Sequence, residues 1–278
     1  MRPLSRRHFL EAAGIAAAAP AVDLANAQTP QATSTVNVEK NVVFGKGGTL
    51  DLRLDIYKPR PGTEKRAATI HLHGGGFTGG SKDQLNERIL PYARAGYTAI
   101  AADYRLTTQG SWPAMIEDAK AAIRWTRANA GRLGIEPSRI IVVGYSAGGY
   151  LALTAAGTPN RAELEGNGGN AGAGTQVAAC AAYYAADKGP PPSTPVASYV
   201  TATFAPTVLF HGVADTTVPV ESSQRLFQVL RDAKVPSELH TFAGVAHIFD
   251  SQADLAQLCG QIADVFIDRH VLKPRRTT

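Results

Sequence analysis

Ser146 lies in Gly144-Tyr145-Ser146-Ala147-Gly148-Gly149, directly after the apolar run Ile140-Ile141-Val142-Val143. A serine hydroxyl is a weak nucleophile unless a base takes its proton and an acid orients that base. Two later stretches supply both, each at the end of a β-branched or apolar run. Thr207-Val208-Leu209-Phe210-His211-Gly212-Val213-Ala214-Asp215 ends on a carboxylate, and Glu238-Leu239-His240-Thr241-Phe242-Ala243-Gly244-Val245-Ala246-His247 ends on an imidazole. The chemistry open to Ser146, His247 and Asp215 together is acyl transfer through a covalent serine intermediate. Glycines on both sides of Ser146 suit a sharp strand-to-helix turn that lifts the hydroxyl to the carboxyl edge of a sheet, at a helix N-terminus.

A second stretch, His73-Gly74-Gly75-Gly76-Phe77-Thr78-Gly79-Gly80-Ser81-Lys82, runs out of the strand-like Ile70-His71-Leu72 into five glycines. A pyrophosphate loop, a triphosphate loop and an oxyanion hole all need such bare backbone. Gly74, Gly76 and Gly79 satisfy G-x-G-x-x-G, and Asp103 could be the ribose-binding acid. But the helix begins after Ser81, beyond the last glycine, and two strands precede the motif where a dinucleotide fold would start with it. A triphosphate loop would read Gly-Lys-Ser, whereas here Ser81 precedes Lys82. An oxyanion hole places the amides of Gly75 and Gly76, with that of Ala147, toward a substrate carbonyl oxygen, where a Cβ would crowd the acyl carbon.

Other titratable groups compete for the same roles. His211 and His240 end or interrupt strands and read as structural histidines; His73 shapes the glycine loop and His71 packs. Asp250 follows His247 too closely to be the preferred acid, although it could reach the ring. Asp103 and Asp118 precede the serine and suit ion pairs or helix contacts with Arg105 or Arg124.

These residues need a scaffold. Val36–Phe44 and Leu50–Tyr57 alternate around Gly45-Lys46-Gly47-Gly48, which reads as an antiparallel hairpin. Strand-like runs follow at Ala67–Leu72, Thr98–Ala102, Ile140–Val143, Val177–Ala182, Thr207–Phe210 and Glu238–Phe242. Helical patterns lie between most of them, at Pro113–Asn129, Ala147–Ala156, Ser222–Ala233 and Ala253–His270. This predicts an α/β protein with a mostly parallel sheet, an N-terminal antiparallel hairpin and helices on both faces. Gly157–Gln176 and Asp187–Phe204 carry neither period and read as loops that rim the site.

At the N-terminus, Ser5-Arg6-Arg7-His8-Phe9-Leu10, an alanine-rich run and Ala25-Asn26-Ala27 make residues 1–27 a twin-arginine signal peptide. Export through the Tat machinery to the periplasm or medium is the expectation, with 28–278 as one catalytic domain. About 250 residues suffice for one large α/β domain. The formal charge is +5; the signal holds three arginines against two acids, and the rest carries no basic stripe, so nucleic acid is not a predicted partner. No run is long enough for a membrane span. The cluster Lys273-Pro274-Arg275-Arg276 reads as a solvated tail. Cys180 and Cys259 fall in apolar patterns, where two buried free thiols are preferred over a disulfide, and neither has the neighbours of a metal ligand or nucleophile.

His73-Gly74-Gly75-Gly76-Phe77, Gly79-Gly80-Ser81-Lys82, Asp103-Tyr104-Arg105-Leu106, Ser146-Ala147-Gly148-Gly149, His211-Gly212 with Asp215 and Val218-Pro219, and Gly244 with His247 resemble the HGGG-type α/β-hydrolase esterases. The likeness is closest to the acetyl/feruloyl-esterase-like (BD-FAE-like) branch, which Leu164-Glu165-Gly166 and Gly168-Gly169-Asn170 also resemble. The resemblance implies the α/β-hydrolase fold, a Ser146-Asp215-His247 triad and oxyanion donors at Gly75, Gly76 and Ala147. It implies ester hydrolysis, with acetyl or feruloyl groups on carbohydrate among the substrates. The rim segments Gly157–Gln176 and Asp187–Phe204 hold few large apolar side chains, which predicts a shallow pocket that takes short acyl groups, and acyl transfer through Ser146 requires no metal or organic cofactor. Asp187–Phe204 departs from the family as a shortened, proline-rich stretch. An amide or formamide hydrolase would use the same machinery, and a non-catalytic binding protein on this fold is the alternative from a different class.

Overall fold

The apolar runs of the sequence pair with one another in a computed structural model that describes residues 36–274. Residues 1–27, read above as a signal peptide, and the end of the basic tail lie outside the described residues. β1 (Asn37–Gly47) and β2 (Leu50–Lys58) form the antiparallel hairpin. β3 (Ala68–Leu72), β4 (Thr98–Ala102), β5 (Ile140–Tyr145), β6 (Ala179–Tyr183), β7 (Thr207–Gly212) and β8 (Ser237–Phe242) follow. They build one eight-stranded sheet in the order β1-β2-β4-β3-β5-β6-β7-β8, parallel from β4 onward, with β2 antiparallel to β4.

The helices α1 (Asn86–Arg94), α2 (Ala114–Ala128), α3 (Ala130–Leu133), α4 (Ala147–Gly157), α5 (Val220–Asp232) and α6 (Ala253–Ile267) divide between the two faces. Period-two alternation along β5 decides the division. Ile140 and Val142 enter a core shared with Ile123 of α2, Leu151 of α4 and Leu230 of α5. Ile141 and Val143 enter the opposite core, with Ile89 and Tyr92 of α1 and Ala263 and Phe266 of α6. Strands buried on both faces read as unbroken apolar runs, which is why they were visible in the sequence.

Chain direction reverses its lateral course beside β3: β4 lies on one side and β5 on the other. A crevice opens at the carboxyl ends of strands at such a switch point. The register Leu72↔Gly144 brings the exit of β3, which leads into His73, level with the exit of β5, which leads into Ser146. Tyr145↔Tyr183 and Tyr183↔Phe210 carry the same edge across to β7, and Gly212↔Phe242 to β8. The turns bearing Asp215 and His247 therefore leave from that edge.

One expectation about a loop is corrected and another gains detail. β1 continues through Gly45 to Gly47, and the turn is confined to Gly48 and Thr49. A Cβ on Gly45 would sit 2.1 Å from Gly168 O, and Lys46 N–H donates to that same oxygen at 3.0 Å. The glycine serves a close approach of backbone within the strand, not a turn. Gly157–Gln176 is anchored on α2: Glu165 accepts from Lys120 Nζ at 2.7 Å and Arg124 Nη1 at 3.0 Å, and Gly169 O accepts from Arg124 Nε at 3.0 Å. The rim beside Ser146 comes from the segment entering Asp187–Phe204, where Ala186 N–H donates to Ser146 O at 3.1 Å and Tyr150 Oη donates to Thr194 O at 2.8 Å.

Cys180 and Cys259 are both free and buried, in the two cores on opposite faces of the sheet. Burial pushes both thiols up, that of Cys259 to about 12. The folded protein should therefore leave both thiols unreacted with a colorimetric disulfide reagent at pH 8, release two per chain on denaturation, and show no change in Tm with a reducing agent. One thiol per chain reacting under native conditions would contradict the burial.

Candidate active site

Ser146 has φ 54° and ψ −114°, a conformation that non-glycine residues rarely hold. Its neighbours over-determine it. Ser146 N–H donates to Tyr183 O at 2.9 Å, and its carbonyl accepts from Tyr150 N–H and Ala186 N–H, both at 3.1 Å. The flanking glycines let this turn press against the sheet. A Cβ on Gly144 would lie 2.1 Å from Gly148 O, and one on Gly148 would lie 2.1 Å from Leu72 O. The pattern around the serine is thus a packing requirement between β5, α4 and the end of β3.

The three residues singled out by order along the chain meet. His247 Nε2 is 3.0 Å from Ser146 Oγ, and His247 Nδ1 is 2.6 Å from Asp215 Oδ2. A carboxylate only accepts, so Nδ1 carries the proton and Nε2 is left to accept from the serine hydroxyl. Asp215 Oδ1 accepts from the N–H groups of Thr217 at 2.8 Å and Val218 at 2.9 Å. Burial pushes the Asp215 carboxyl up, but the hydrogen bond from His247 and those two amides outweigh it and hold the group below its ordinary range.

His211, read as structural, turns out to touch the acid. It is fully buried, with Nε2 2.9 Å from Val218 O and 3.2 Å from Asp215 Oδ2, and Nδ1 2.7 Å from Ser223 Oγ. Burial lowers its pKa, so the neutral ring donates from Nε2 and accepts the Ser223 hydroxyl at Nδ1. Its place in His211-Gly212, four residues before Asp215, was the only sequence signal of this contact.

The remaining competitors fall elsewhere. Asp250 accepts from Tyr184 Oη at 2.5 Å and lies 3.1 Å from Arg88 Nε, so it reaches Tyr184 and not the imidazole. His240 is 3.1 Å from Glu238 on the edge strand β8. Asp118 makes a two-pronged pair with Arg105, at 2.8 Å from Nε and 2.7 Å from Nη2. Asp103 instead accepts from Lys82 N–H at 2.7 Å, and Lys82 Nζ is buried 3.1 Å from Asp55. Ser81-Lys82 therefore ties the glycine loop down onto the sheet, and its amine is already paired within the protein.

Gly75 and Gly76 stand at φ 115° and 61°. Gly75 O accepts from both Thr78 and Gly79 N–H at 3.1 Å, which curls the loop. Among the described residues, the N–H groups of Gly75, Gly76 and Ala147 find no protein acceptor. The position for a Cβ on Gly74 is 3.3 Å from Ser146 Cβ, so this loop lies against the serine. A Cβ on Gly75, however, would meet Gly79 O at 2.1 Å. The glycine at 75 is thus required by the fold of the loop itself. His73 braces the loop: Nδ1 is 2.7 Å from Gly74 O, its ring stacks on Tyr104 at 4.2 Å, and Tyr104 Oη donates to His73 O at 2.8 Å.

A cleft of about 250 Å³ lies beside this loop, lined by Asp51, Ser81, Asp103, Tyr104 and Gln109 among others. A larger cavity of about 650 Å³ is at the opposite, amino edge of the sheet, around Arg127, Pro137, Val177 and Ala205. Among the described residues no three side chains cluster as a metal site, and no helix is long and apolar enough to cross a membrane.

Comparisons with known proteins find esterases. The BD-FAE family model matches residues 54–189, and the dienelactone hydrolase family model matches residues 168–258. Carboxylesterase NlhH of Mycobacterium tuberculosis is 36% identical over 132 residues, 46% of this chain and 40% of that protein. An ethyl acetate hydrolase of Pseudomonas putida is 41% identical over 109 residues, 38% of this chain and 34% of that one. The chain thus matches less than half the length of these curated relatives. Esterase 2 of Thermogutta terrifontis, in a structure phosphorylated by paraoxon, superposes with a TM-score of 0.75 at 30% identity, covering 86% of this chain and 96% of that one. Its butyrate-bound structure gives a TM-score of 0.74 at 29% identity, with 86% and 96% covered.

The buried histidines behind the site set a pH dependence of stability. Burial lowers His71 to about 3 and His73 to about 4, so both are neutral in the folded chain and protonate near 6.5 when unfolded. The unfolded state binds the extra protons as pH falls, so this stability is complete above about 6.5 and is lost below it. Urea midpoints should fall from pH 7 to pH 5, with each histidine contributing up to about 1.4 kcal/mol per pH unit. The fall should be shallower in His71→Gln; an unchanged midpoint over that range would contradict the burial of both rings.

Proposed function

The chain belongs to the α/β-hydrolase esterases, in their BD-FAE-like branch, and on that premise we propose that it hydrolyses short-acyl carboxylic esters with Ser146 as nucleophile, His247 as base and Asp215 as orienting acid. The observation that carries this is the unbroken line from Ser146 Oγ to His247 Nε2 at 3.0 Å and from His247 Nδ1 to Asp215 Oδ2 at 2.6 Å. In this mechanism His247 Nε2 takes the hydroxyl proton as Oγ attacks the ester carbonyl carbon. Asp215 stays ionised and stabilises the imidazolium that forms. The carbonyl oxygen, now negative, is received by the amides of Gly75, Gly76 and Ala147, one such donor being worth about 3 kcal/mol in the transition state. His247 then gives its proton to the departing alcohol, and a water deprotonated by the same nitrogen releases the acid from Ser146.

The surroundings favour a small acyl group. Tyr150, one turn after Ser146 on α4, is fully buried, tied to Thr194 O, and met by Phe77 at 6.0 Å and Trp112 at 5.7 Å. Aromatic rings packed this way close off space that a long chain would need, and each methylene left outside forgoes about 0.8 kcal/mol. The butyrate bound in the Thermogutta esterase accords with this size. The likeness to the BD-FAE family supports acetyl or feruloyl esters of carbohydrate as the substrate class. The twin-arginine N-terminal segment supports export by the Tat route to the periplasm or medium, leaving 28–278 as the catalytic domain.

Activity on p-nitrophenyl esters of graded chain length tests the proposal. We expect kcat/KM to peak between acetyl and butyryl and to fall steeply by octanoyl; a steady rise to palmitoyl would contradict the closed acyl side. Ser146→Ala and His247→Ala should each lower kcat by about 10⁴-fold or more, and Asp215→Asn by about 10³- to 10⁴-fold, with far-ultraviolet dichroism unchanged. Full ester turnover in Ser146→Ala, or preferential turnover of N-formyl aromatics over esters, would reject this reading.

A further inference from the structure

One carboxylate near the site has no part in that mechanism. Asp250 is buried three residues beyond His247, yet its closest partner is a phenol: Tyr184 Oη donates to Asp250 Oδ1 at 2.5 Å. The ring of Tyr184 meets the imidazole of His247 edge-on, with centroids 4.5 Å apart and planes at 63°. Tyr184 is itself held in an unusual conformation, φ 36°, directly after β6, with its N–H donating to Phe210 O at 2.7 Å. Behind it, Asp250 Oδ2 lies 3.1 Å from Arg88 Nε of α1, and the Arg88 guanidinium sits over the ring of Tyr145, which immediately precedes the serine, at 5.6 Å.

His247 is carried on a turn and needs a fixed ring plane for Nε2 to face Ser146 and Nδ1 to face Asp215 at the same time. Asp215 constrains one nitrogen only and leaves rotation about that bond free. An aromatic wall on the ring is what removes that freedom, and a backbone residue held at positive φ is the kind of strain that functional sites retain. Resting on the esterase reading above, we propose that Tyr184 is a positioning residue for His247, and that Asp250, braced by Arg88, positions Tyr184. The groups facing His247 are then Asp215 and His211 from the end of β7, Tyr184 from the end of β6, and Asp250 from its own turn, with Arg88 of α1 behind Asp250.

The test uses the full chain and two readouts, one of them independent of turnover. Tyr184→Phe removes only the hydroxyl, and Asp250→Asn removes the charge that holds it. Each should lower kcat on p-nitrophenyl acetate about tenfold, since small misplacements of a reacting group cost at least that much, while KM stays the same. Each should also shift or broaden the low-field proton resonance of His247 Nδ1–H, observed in the resting protein. The double variant should be no worse than either single one, because both cut the same link. Folded single variants with full kcat and an unmoved proton resonance would overturn the proposal, as would losses that simply add. Should Tyr184→Phe fail to fold, Arg88→Gln, on a helix outside the site, carries the same expectations. Wild-type protein that shows the resonance but cleaves no ester would instead refute the esterase reading, and the resonance in the variants would still decide the role of Tyr184.

Discussion

The site depends on one strained residue. Ser146 at φ 54° sits in a turn that closes on itself and on the end of β3: a Cβ at Gly144 would strike Gly148 O, and a Cβ at Gly148 would strike Leu72 O, so both positions take only glycine. The carbonyl of Leu72 presses on Gly148, so the end of β3 is locked to the start of α4. That same contact sets the glycine loop after β3 against the serine. Ser146 and the glycine loop are therefore not two features placed side by side; a single backbone packing fixes both.

The electrostatics follow from where the strands end. Asp215 and His247 come from separate strands, but parallel register brings their turns to one edge. Two backbone amides, the imidazole and the buried His211 surround the carboxylate, which keeps it ionised despite burial. The neutral state of His211 matters here: a protonated ring at 3.2 Å would compete with His247 for the charge of Asp215. On the glycine loop the neutral His73, stacked on Tyr104, braces the backbone without adding a second base.

Much of this was legible in the sequence because buried parallel strands have unbroken apolar runs, and the residues with chemistry follow directly after those runs. Ser146, Asp215 and His247 stood out for that reason, and Asp118 found its expected partner in Arg105. What escaped was set by contacts between distant segments. Gly45 looked like a turn because the oxygen that approaches it belongs to Gly168. That Gly157–Gln176 is anchored on α2 was hidden, because nothing local reveals that Glu165 pairs with Lys120 and Arg124. The approach of Gly79 O to Gly75 was hidden as well. Tyr184 carried no signal, since a tyrosine after a strand is ordinary unless its φ and its neighbour are known. Asp250 was ambiguous for a physical reason: it is near His247, but connected to it through a tyrosine ring.

The central claim is that the hydroxyl of Ser146 is made nucleophilic by His247. Reaction of the full chain with a fluorophosphonate, followed by peptide mass mapping, tests it most directly. The account predicts one adduct per chain, on Ser146, formed at least a hundredfold more slowly when His247 is alanine. An adduct on any other serine, or equal labelling rates with and without the histidine, would contradict it.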